Sequence, residues 1–369
     1  MTWQELADNV NREYRDDVSE YRTESAYRKA CQGAEAYYNE VFAGMMNDSY
    51  REEIQKDIRE FKKEKQKLSD ERTEYNRLLR REARKESYAE MVQRIVAEST
   101  IPYEFNDGSL NDFSLNDNSL LIHLTDIHTG IEIDNFYNRF DEDVLVDRFN
   151  KYFNKIKEIQ QQHKSENAYI VIGEIVSGII HNNLRLQNNL DLIEQFKLAA
   201  ELVSSLLVNL SCMFTNIYVY TTPANHSRIS PKKEDALDGE NLDILLPFYL
   251  KAKMQYFENV HIEDNTLDPE IAIFHIYNTL VMAAHGHKDS PANVVQNFTM
   301  MFKLQPDIVL LGHRHTNGLS TVFDTKVIQS GCVSGADAYA VGIRKVNKPE
   351  QTISVISKQG LVCIYDVTL

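Results

Sequence analysis

Leu120-Leu121-Ile122-His123-Leu124-Thr125-Asp126-Ile127-His128 is the stretch on which the reading of this chain turns. Five mostly apolar residues have the length of a buried strand, and they stop in a polar loop offering a carboxylate and an imidazole two residues apart. The same construction recurs downstream. Ala168–Ile172 leads to Gly173-Glu174, and Asn216–Tyr220 leads to Asn225-His226. Leu280–Ala284 leads to His285-Gly286-His287, and Asp307–Leu311 to Gly312-His313-Arg314-His315. Six of the 11 histidines lie in these few loops. Between them the spacing predicts helices over Asp141–Gln161, with Val144, Leu145, Phe149, Phe153 and Ile156 on one face, and over Leu190–Leu210, Asn241–Lys253 and Ala292–Leu304. Strand–helix alternation predicts an α/β unit with its site at the carboxyl ends of the strands. Beyond Gly312 the alternating stretches Thr321–Gln329, Thr352–Ser357 and Leu361–Thr368 predict antiparallel strands closing a second sheet.

A set of imidazoles, carboxylates and one carboxamide suits a borderline first-row ion such as Mn, Fe or Zn, and does not suit Ca or Mg alone. The donors outnumber what one tetrahedral ion uses. Two ions about 3.5–4 Å apart, sharing a bridging carboxylate, would employ them all, polarising a phosphoryl oxygen and lowering the pKa of a bridging water. His226, beside the donor Asn225, is then the natural proton donor to a leaving group. Asp126 or His128 alone would be read as structural; the five loops together point to a metal centre. His123, His163, His261 and His275 have no such company and read as ordinary core or surface histidines.

The order DxH, G[D/E], NH, HGH, GHxH resembles the calcineurin-like metallophosphoesterase family, and most closely its branch of Mre11-type and phage-encoded DNA exonucleases. The resemblance runs from about Leu120 to Leu369. It implies a four-layer α/β/β/α sandwich and a metal-dependent phosphodiesterase, a DNA exonuclease first of all, working by in-line attack of a metal-bridging hydroxide on phosphorus. A phosphatase, a phosphodiesterase of cyclic or small nucleotides, and a DNA-binding scaffold with a degenerate metal site are the alternatives. By motif, Asp126, His128 and His315 would hold the first metal, Glu174 would bridge, and Asn225, His285 and His313 would hold the second. His226 would contact the phosphate and assist the leaving group. His287 would touch substrate or hydrogen-bond a neighbour. His181, Arg185 and Arg228 would line the phosphate channel, Arg228 as a bidentate partner. Two divalent ions are implied, Mn2+ first, with Fe, Zn or Mg as substitutes.

Two positions depart from the family pattern. Glu174 replaces the usual aspartate, adding one methylene, and Ala224 replaces the glycine before Asn225. An alanine there is strained only if its φ is positive.

Outside this region the signals are weaker. The 369 residues are 43% hydrophobic and 26% charged, enough for a sizeable core, and exclude a disordered or collagen-like chain. No apolar run approaches the roughly 18–20 residues that cross a bilayer, and the first residues lack the pattern of a signal peptide. Four scattered cysteines without a CxxC argue against a disulfide scaffold or a thiolate zinc site, so a cytoplasmic protein (host cytoplasm if phage-encoded) with no membrane partner is expected. The net charge of −15 divides into −5 over residues 1–50, +2 over 51–100 and −12 over the rest. Residues 1–50 read as a helical domain, either helix-turn-helix-like or serving oligomerisation or docking: one helix is capped by Thr2, with Trp3, Leu6, Ala7 and Val10 on one side. A second starts at Thr23-Glu24-Ser25 with Ala26, Tyr27, Ala30 and Cys31 inward. Residues 51–101 lack Gly and Pro and predict a long charged helix or coiled coil, which offers a homodimer through the N-terminal helices. The basic run at 76–85 offers contact with a DNA backbone. Residues 102–118 read as a linker, and 119–369 as the metallophosphoesterase domain.

Overall fold

The computed structural model describes residues 2–42, 55–68, 71, 75, 116–180, 182–237 and 239–369. The chain divides into two units, residues 1–87 and 88–369. The basic run 76–85, most of the 51–101 helix, most of the 102–118 segment and His181 lie outside the described residues. Among the described residues no helix is long and apolar enough to cross a membrane.

In the first unit, α1 (Trp3–Tyr14) is capped by Thr2, whose hydroxyl accepts from the Glu5 amide while Glu5 accepts from the Thr2 amide. Helix α2 (Glu24–Tyr37) is capped by Thr23. Asn11 joins the two: its Nδ2 donates to the Arg22 carbonyl, and its Oδ1 accepts from the Arg22 amide and the Tyr27 hydroxyl. Of the expected inward face of α2, only Tyr27 is half-buried; Ala26, Ala30 and Cys31 are exposed. The hinge is a polar bridge through Asn11, which an apolar-face argument does not anticipate. Residues 55–68 are helical.

The second unit is mixed α/β. In chain order its elements are β1 (Asn116–Leu124), β2 (Ile133–Asp134), β3 (Arg139–Phe140), α3 (Glu142–His163), β4 (Ser165–Gly173), α4 (Asn182–Gln187), α5 (Leu192–Ser211) and β5 (Asn216–Thr222). They continue with α6 (Leu242–Lys253), β6 (Val260–Ile262), β7 (Ala272–Ile276), β8 (Thr279–Ala284), α7 (Val294–Phe302), β9 (Ile308–Leu311), β10 (Gly318–Val322) and β11 (Thr325–Gln329). Helix α8 (Ala338–Gly342), β12 (Glu350–Ser357) and β13 (Gly360–Thr368) complete it. One sheet has the order β13-β12-β1-β4-β5-β6, with β1, β4, β5 and β6 parallel. The other has the order β10-β11-β9-β8-β7, with β8, β9 and β11 parallel.

Period-two alternation explains the packing. Leu120, Ile122 and Leu124 point from β1 into a core shared with Phe149 and Ile156 of α3, Leu206 of α5 and Leu246 of α6. Leu121 and Val171 point the other way, into a second core with Phe274, Val281, Ile308 and Leu310 of the other sheet. A third core joins Met282, Val309 and Val327 to Val294 and Phe298 of α7. Each fully buried Phe or Leu contributes roughly 1.5–3 kcal/mol.

Two boundaries differ from expectation. Strand β1 begins at Asn116, inside the expected linker, because Asn116 and Asn118 each donate a side-chain amide hydrogen to the His163 carbonyl and so extend the pairing with β4. The expected strand Thr321–Gln329 is a hairpin, β10–β11, whose turn residues Phe323 and Asp324 both have positive φ, 48° and 67°. That is the signature of a two-residue primed turn, here without the Gly or Asn that would announce it. As a result β11 runs antiparallel to β10 and parallel to β9. The expected antiparallel strands β12 and β13 extend the sheet of β1 instead of closing the second sheet.

Candidate metal centre

The parallel strands deliver their loops to one edge. Asp126 and His128 follow β1, Glu174 follows β4, Asn225 and His226 follow β5, His285 follows β8, and His313 and His315 follow β9. Five of these residues hold left-handed backbone: Asp126 and His128 at φ 52°, Glu174 at 49°, His313 at 66° and His315 at 55°. Such conformations cost on the order of 1–3 kcal/mol each in non-glycine residues and persist only where surrounding contacts fix them. Those contacts are present. The Ile127 amide donates to the Glu174 carbonyl (2.9 Å), Val333 to Asp126 (3.0 Å), and Gly312 to His285 (2.9 Å). The buried Gln351 side chain stitches the end of β1 to the loop after β11, accepting from the Thr125 amide and donating to the Thr125 and Gly331 carbonyls. Ala224 is not among the positive-φ residues, so its departure from glycine carries no backbone strain.

Two donor sets converge. In the first, Asp126, His128, Glu174 and His315 bring ligand atoms within 4.8 Å of one another; in the second, Glu174, His285 and His313 do so. Glu174 belongs to both. His315 Nε2 lies 3.2 Å from His128 Nε2 and 3.2 Å from Asp126 Oδ1. Bonds of about 2.0–2.1 Å at a tetrahedral angle place two donors roughly 3.3 Å apart, so these spacings match a common ion. Glu174 Oε2 lies 2.9 Å from His285 Nε2 as an ion contact, and neither buried atom has a hydrogen-bond partner. Asn225 Oδ1 is likewise buried and unpartnered. Buried polar atoms are nearly always satisfied. Orphaned oxygens and nitrogens of this kind, clustered around a shared carboxylate, fit a pair of divalent cations.

The electrostatics agree. Glu174 is fully buried, which by itself would raise its carboxyl, but His285 and His226 hold it well below the ordinary range. Burial lowers the His285 imidazole, and the Glu174 carboxylate more than offsets this, leaving it raised. His128 is pushed well down by burial and by His226 and His315, and His313 is lowered by burial and by His285. Burial opposes protonation of His315 too, but Cys332 and Asp126 beside it hold the imidazole well above its usual value. A carboxylate this deep needs cationic charge beside it, which the raised His285 supplies here, while the lowered His128 and His313 present the neutral lone pairs that bind an ion.

Asp126 is fixed by two donors: Thr125 Oγ1 donates to Oδ2 (2.9 Å), and the His313 amide is shared between Oδ1 (3.2 Å) and Oδ2 (3.0 Å). Gly312 makes that approach possible, since a Cβ there would lie 2.5 Å from Asp126 Oδ2 and 2.6 Å from Thr125 Oγ1. Gly312→Ala is therefore expected to displace Asp126 and weaken one of two bound ions by about tenfold or more, read by equilibrium dialysis with Mn2+. An unchanged binding isotherm would contradict it.

His226 donates Nδ1–H to the Ser177 carbonyl (2.8 Å), leaving Nε2 turned to the site, 3.9 Å from Glu174 Oε1. Its amide donates to the same Oε1 (3.1 Å). Its ring packs edge-on to His128, centroids 4.8 Å apart. Of the expected substrate contacts, His287 is half-buried with its ring centroid 5.5 Å from His285, and burial, with His285 and Lys288 nearby, lowers its imidazole to about 3. Arg185 is exposed on α4. Arg228 directs Nε and Nη2 to the Ser230 and Pro231 carbonyls within its own loop.

Sequence reasoning missed Asp243. Fully buried at the start of α6, it accepts from the Glu174, Ile175 and Ala224 amides (3.2, 3.2 and 3.0 Å), tying the loops after β4 and β5 together. Burial raises its carboxyl to about 6. It also missed Gln195 of α5, whose Oε1 accepts from the Gly178 amide.

The remaining histidines have other occupations. His163 contacts the Tyr365 hydroxyl, His261 contacts Asn216 Oδ1, and His275 is exposed. His123 is 2% exposed with Nδ1 unpartnered, and burial lowers it to about 4. Its folded form binds fewer protons than the unfolded chain below pH 6.5. Its contribution is thus complete above pH 6.5 and is lost as pH falls through about 4, a loss of about 3 kcal/mol. Urea unfolding in chelator is expected to show this loss between pH 7 and 4 in the wild type, and a correspondingly smaller one in His123→Gln.

No family model matches the chain, and no curated protein matches it. Solved structures do. A Vps29 variant from Entamoeba histolytica is 16% identical over 68% of this chain and 92% of its own, with a TM-score of 0.31. A novel archaeal phosphodiesterase is 14% identical over 68% and 99%, TM-score 0.33. A hypothetical protein from Pyrococcus horikoshii is 13% identical over 68% and 88%, TM-score 0.36. Identities and scores of this size do not assign this chain's chemistry.

Proposed function

We infer that this chain is a binuclear metal-dependent phosphodiesterase of the calcineurin-like type, its three cores lying between four layers in the order α/β/β/α. The carrying observation is the pair of donor sets meeting at Glu174, with Glu174 Oε2, His285 Nε2 and Asn225 Oδ1 buried and unpartnered. Asp126, His128 and His315 would hold one ion, Asn225, His285 and His313 the other, and Glu174 both. When bound, such ions polarise the phosphoryl group and make water nucleophilic at neutral pH. The chain's own part is positioning. The Asp126 and Glu174 carboxylates are locked by backbone amides, so neither reorients when substrate enters. With Nδ1–H held by Ser177, a protonated His226 would present Nε2–H to the departing oxygen.

DNA is the substrate this reading selects, with support from the motif order and the basic run at 76–85. The net charge of −15 favours a second reading, a small or cyclic nucleotide, whose binding needs no long cationic surface. Digestion of end-labelled duplex and single-stranded DNA with Mn2+, with and without chelator, separates them. Chelator-sensitive degradation supports the nuclease; turnover of only a cyclic or small nucleotide supports the second reading. Failure to hydrolyse any phosphodiester with two ions bound overturns both.

A further inference from the structure

We propose that Cys332 is a further metal ligand, giving the Asp126–His128–His315 position a sulfur donor. The assignment rests on the binuclear reading above. Strand β11 runs parallel to β9, so its carboxyl end opens at the same edge as β1, β4, β5, β8 and β9, and three residues beyond it stands Cys332. Its Sγ and the imidazole nitrogens of His128 and His315 all lie within 4.8 Å of one another, and those two histidines are the ones paired with Asp126. The thiol is 1% exposed. It is also held in place: the next amide, Val333, donates to the Asp126 carbonyl (3.0 Å), and the Glu350 amide donates to the Cys332 carbonyl (3.2 Å).

Two polar groups flank the sulfur, the Ser334 hydroxyl and the Gly335 carbonyl, which accepts from Sγ at 3.9 Å. Ser334 Oγ lies 2.9 Å from Sγ, placed to donate once the thiol proton is gone. Arg148 is 7% exposed, and its guanidinium donates to the Val333 carbonyl (2.7 Å), Asn138 Oδ1 (2.9 Å) and the Arg139 carbonyl (3.2 Å). All three are neutral acceptors, so a thiolate formed at Cys332 on metal binding would add negative charge beside the Val333 carbonyl that this buried guanidinium holds. Coordination replaces the S–H bond with a sulfur–metal bond and releases the proton to water. A soft sulfur at one position and all-N/O donors at the other would make the two positions unequal, the first preferring Zn2+, Co2+ or Fe2+ over Mn2+ and Mg2+.

The test is the absorption spectrum of the full-length chain, stripped of metal and reloaded with Co2+. A sulfur-to-cobalt charge-transfer band in the near ultraviolet is expected in the wild type and in the triple variant C31S/C212S/C363S, which keeps only Cys332. Cys332→Ser is expected to lose the band and to bind Zn2+ about tenfold more weakly, while its Mn2+ affinity changes less than about threefold. If Cys332→Ser does not fold, the triple variant decides the matter by itself. Bound cobalt with no sulfur band overturns the assignment of Cys332 alone; a wild-type chain that binds no cobalt overturns the binuclear reading with it.

Discussion

Glu174→Gln is expected to reduce bound Mn2+ from two ions per chain to at most one and to lower phosphodiester turnover by about a thousandfold. Glutamine keeps the side chain's volume and can still accept from the His226 amide through its carbonyl oxygen. It removes the charge at Oε2, the atom 2.9 Å from His285 Nε2 and 3.9 Å from His128 Nε2. No other carboxylate belongs to both donor sets, so among the described residues nothing substitutes for it. Elemental analysis beside a rate measurement checks the two effects separately; two retained ions would remove Glu174 from its bridging place.

Glu174→Asp sharpens the point. Aspartate would match the family pattern, and a degenerate site would be repaired by it. The geometry predicts the opposite. The longer side chain spans from a left-handed backbone (φ 49°), itself tied to Asp243, to both His285 and the His226 amide. Shortening it by one bond withdraws the carboxylate by about 1.5 Å, and a 1 Å misplacement can cost about a hundredfold in rate. A faster Glu174→Asp enzyme would show that the glutamate is a defect.

How much of this could be read from the residues alone depends on distance along the chain. Asp126, Glu174, His226, His285 and His313 were legible because each lies within a few residues of the end of an apolar run, and strand ends collect at one edge. The left-handed backbone of Asp126, Glu174 and His313 was not legible, since it arises from amides such as those of Ile127 and Val333 that meet only in the fold. Asp243, Gln195 and Gln351 escaped for the same reason: each lies on a helix or strand whose periodicity shows burial but not which distant amide a polar group will meet. Cys332 escaped because Phe323-Asp324 carries no turn signal, so β11 was merged with β10 and its direction lost. Once the hairpin is seen, Cys332 stands three residues after the end of β11, at the sheet edge where Glu174 directly follows β4.

The same loop geometry yields a prediction in which two different substitutions converge. His226→Ala removes the proton donor and is expected to lower turnover by about 10²–10⁴-fold while both ions remain bound. Gly178→Ala should approach that phenotype without touching the imidazole. Gly178 has φ 73°, and a Cβ there would overlap the His226 carbonyl oxygen, so the loop carrying Ser177 must move away from His226. That shift takes with it the Ser177 carbonyl that fixes Nδ1–H, and the ring loses the orientation that aims Nε2 at the site. The variant also bears a left-handed alanine, which costs roughly 1–2 kcal/mol. Thermal melting therefore falls in Gly178→Ala and holds in His226→Ala. Substrates with an activated leaving group separate the roles. A phenolate that departs without a proton is expected to restore most of the lost rate in both variants, whereas an equal loss on activated and unactivated esters would mean that His226 holds the phosphate rather than the proton.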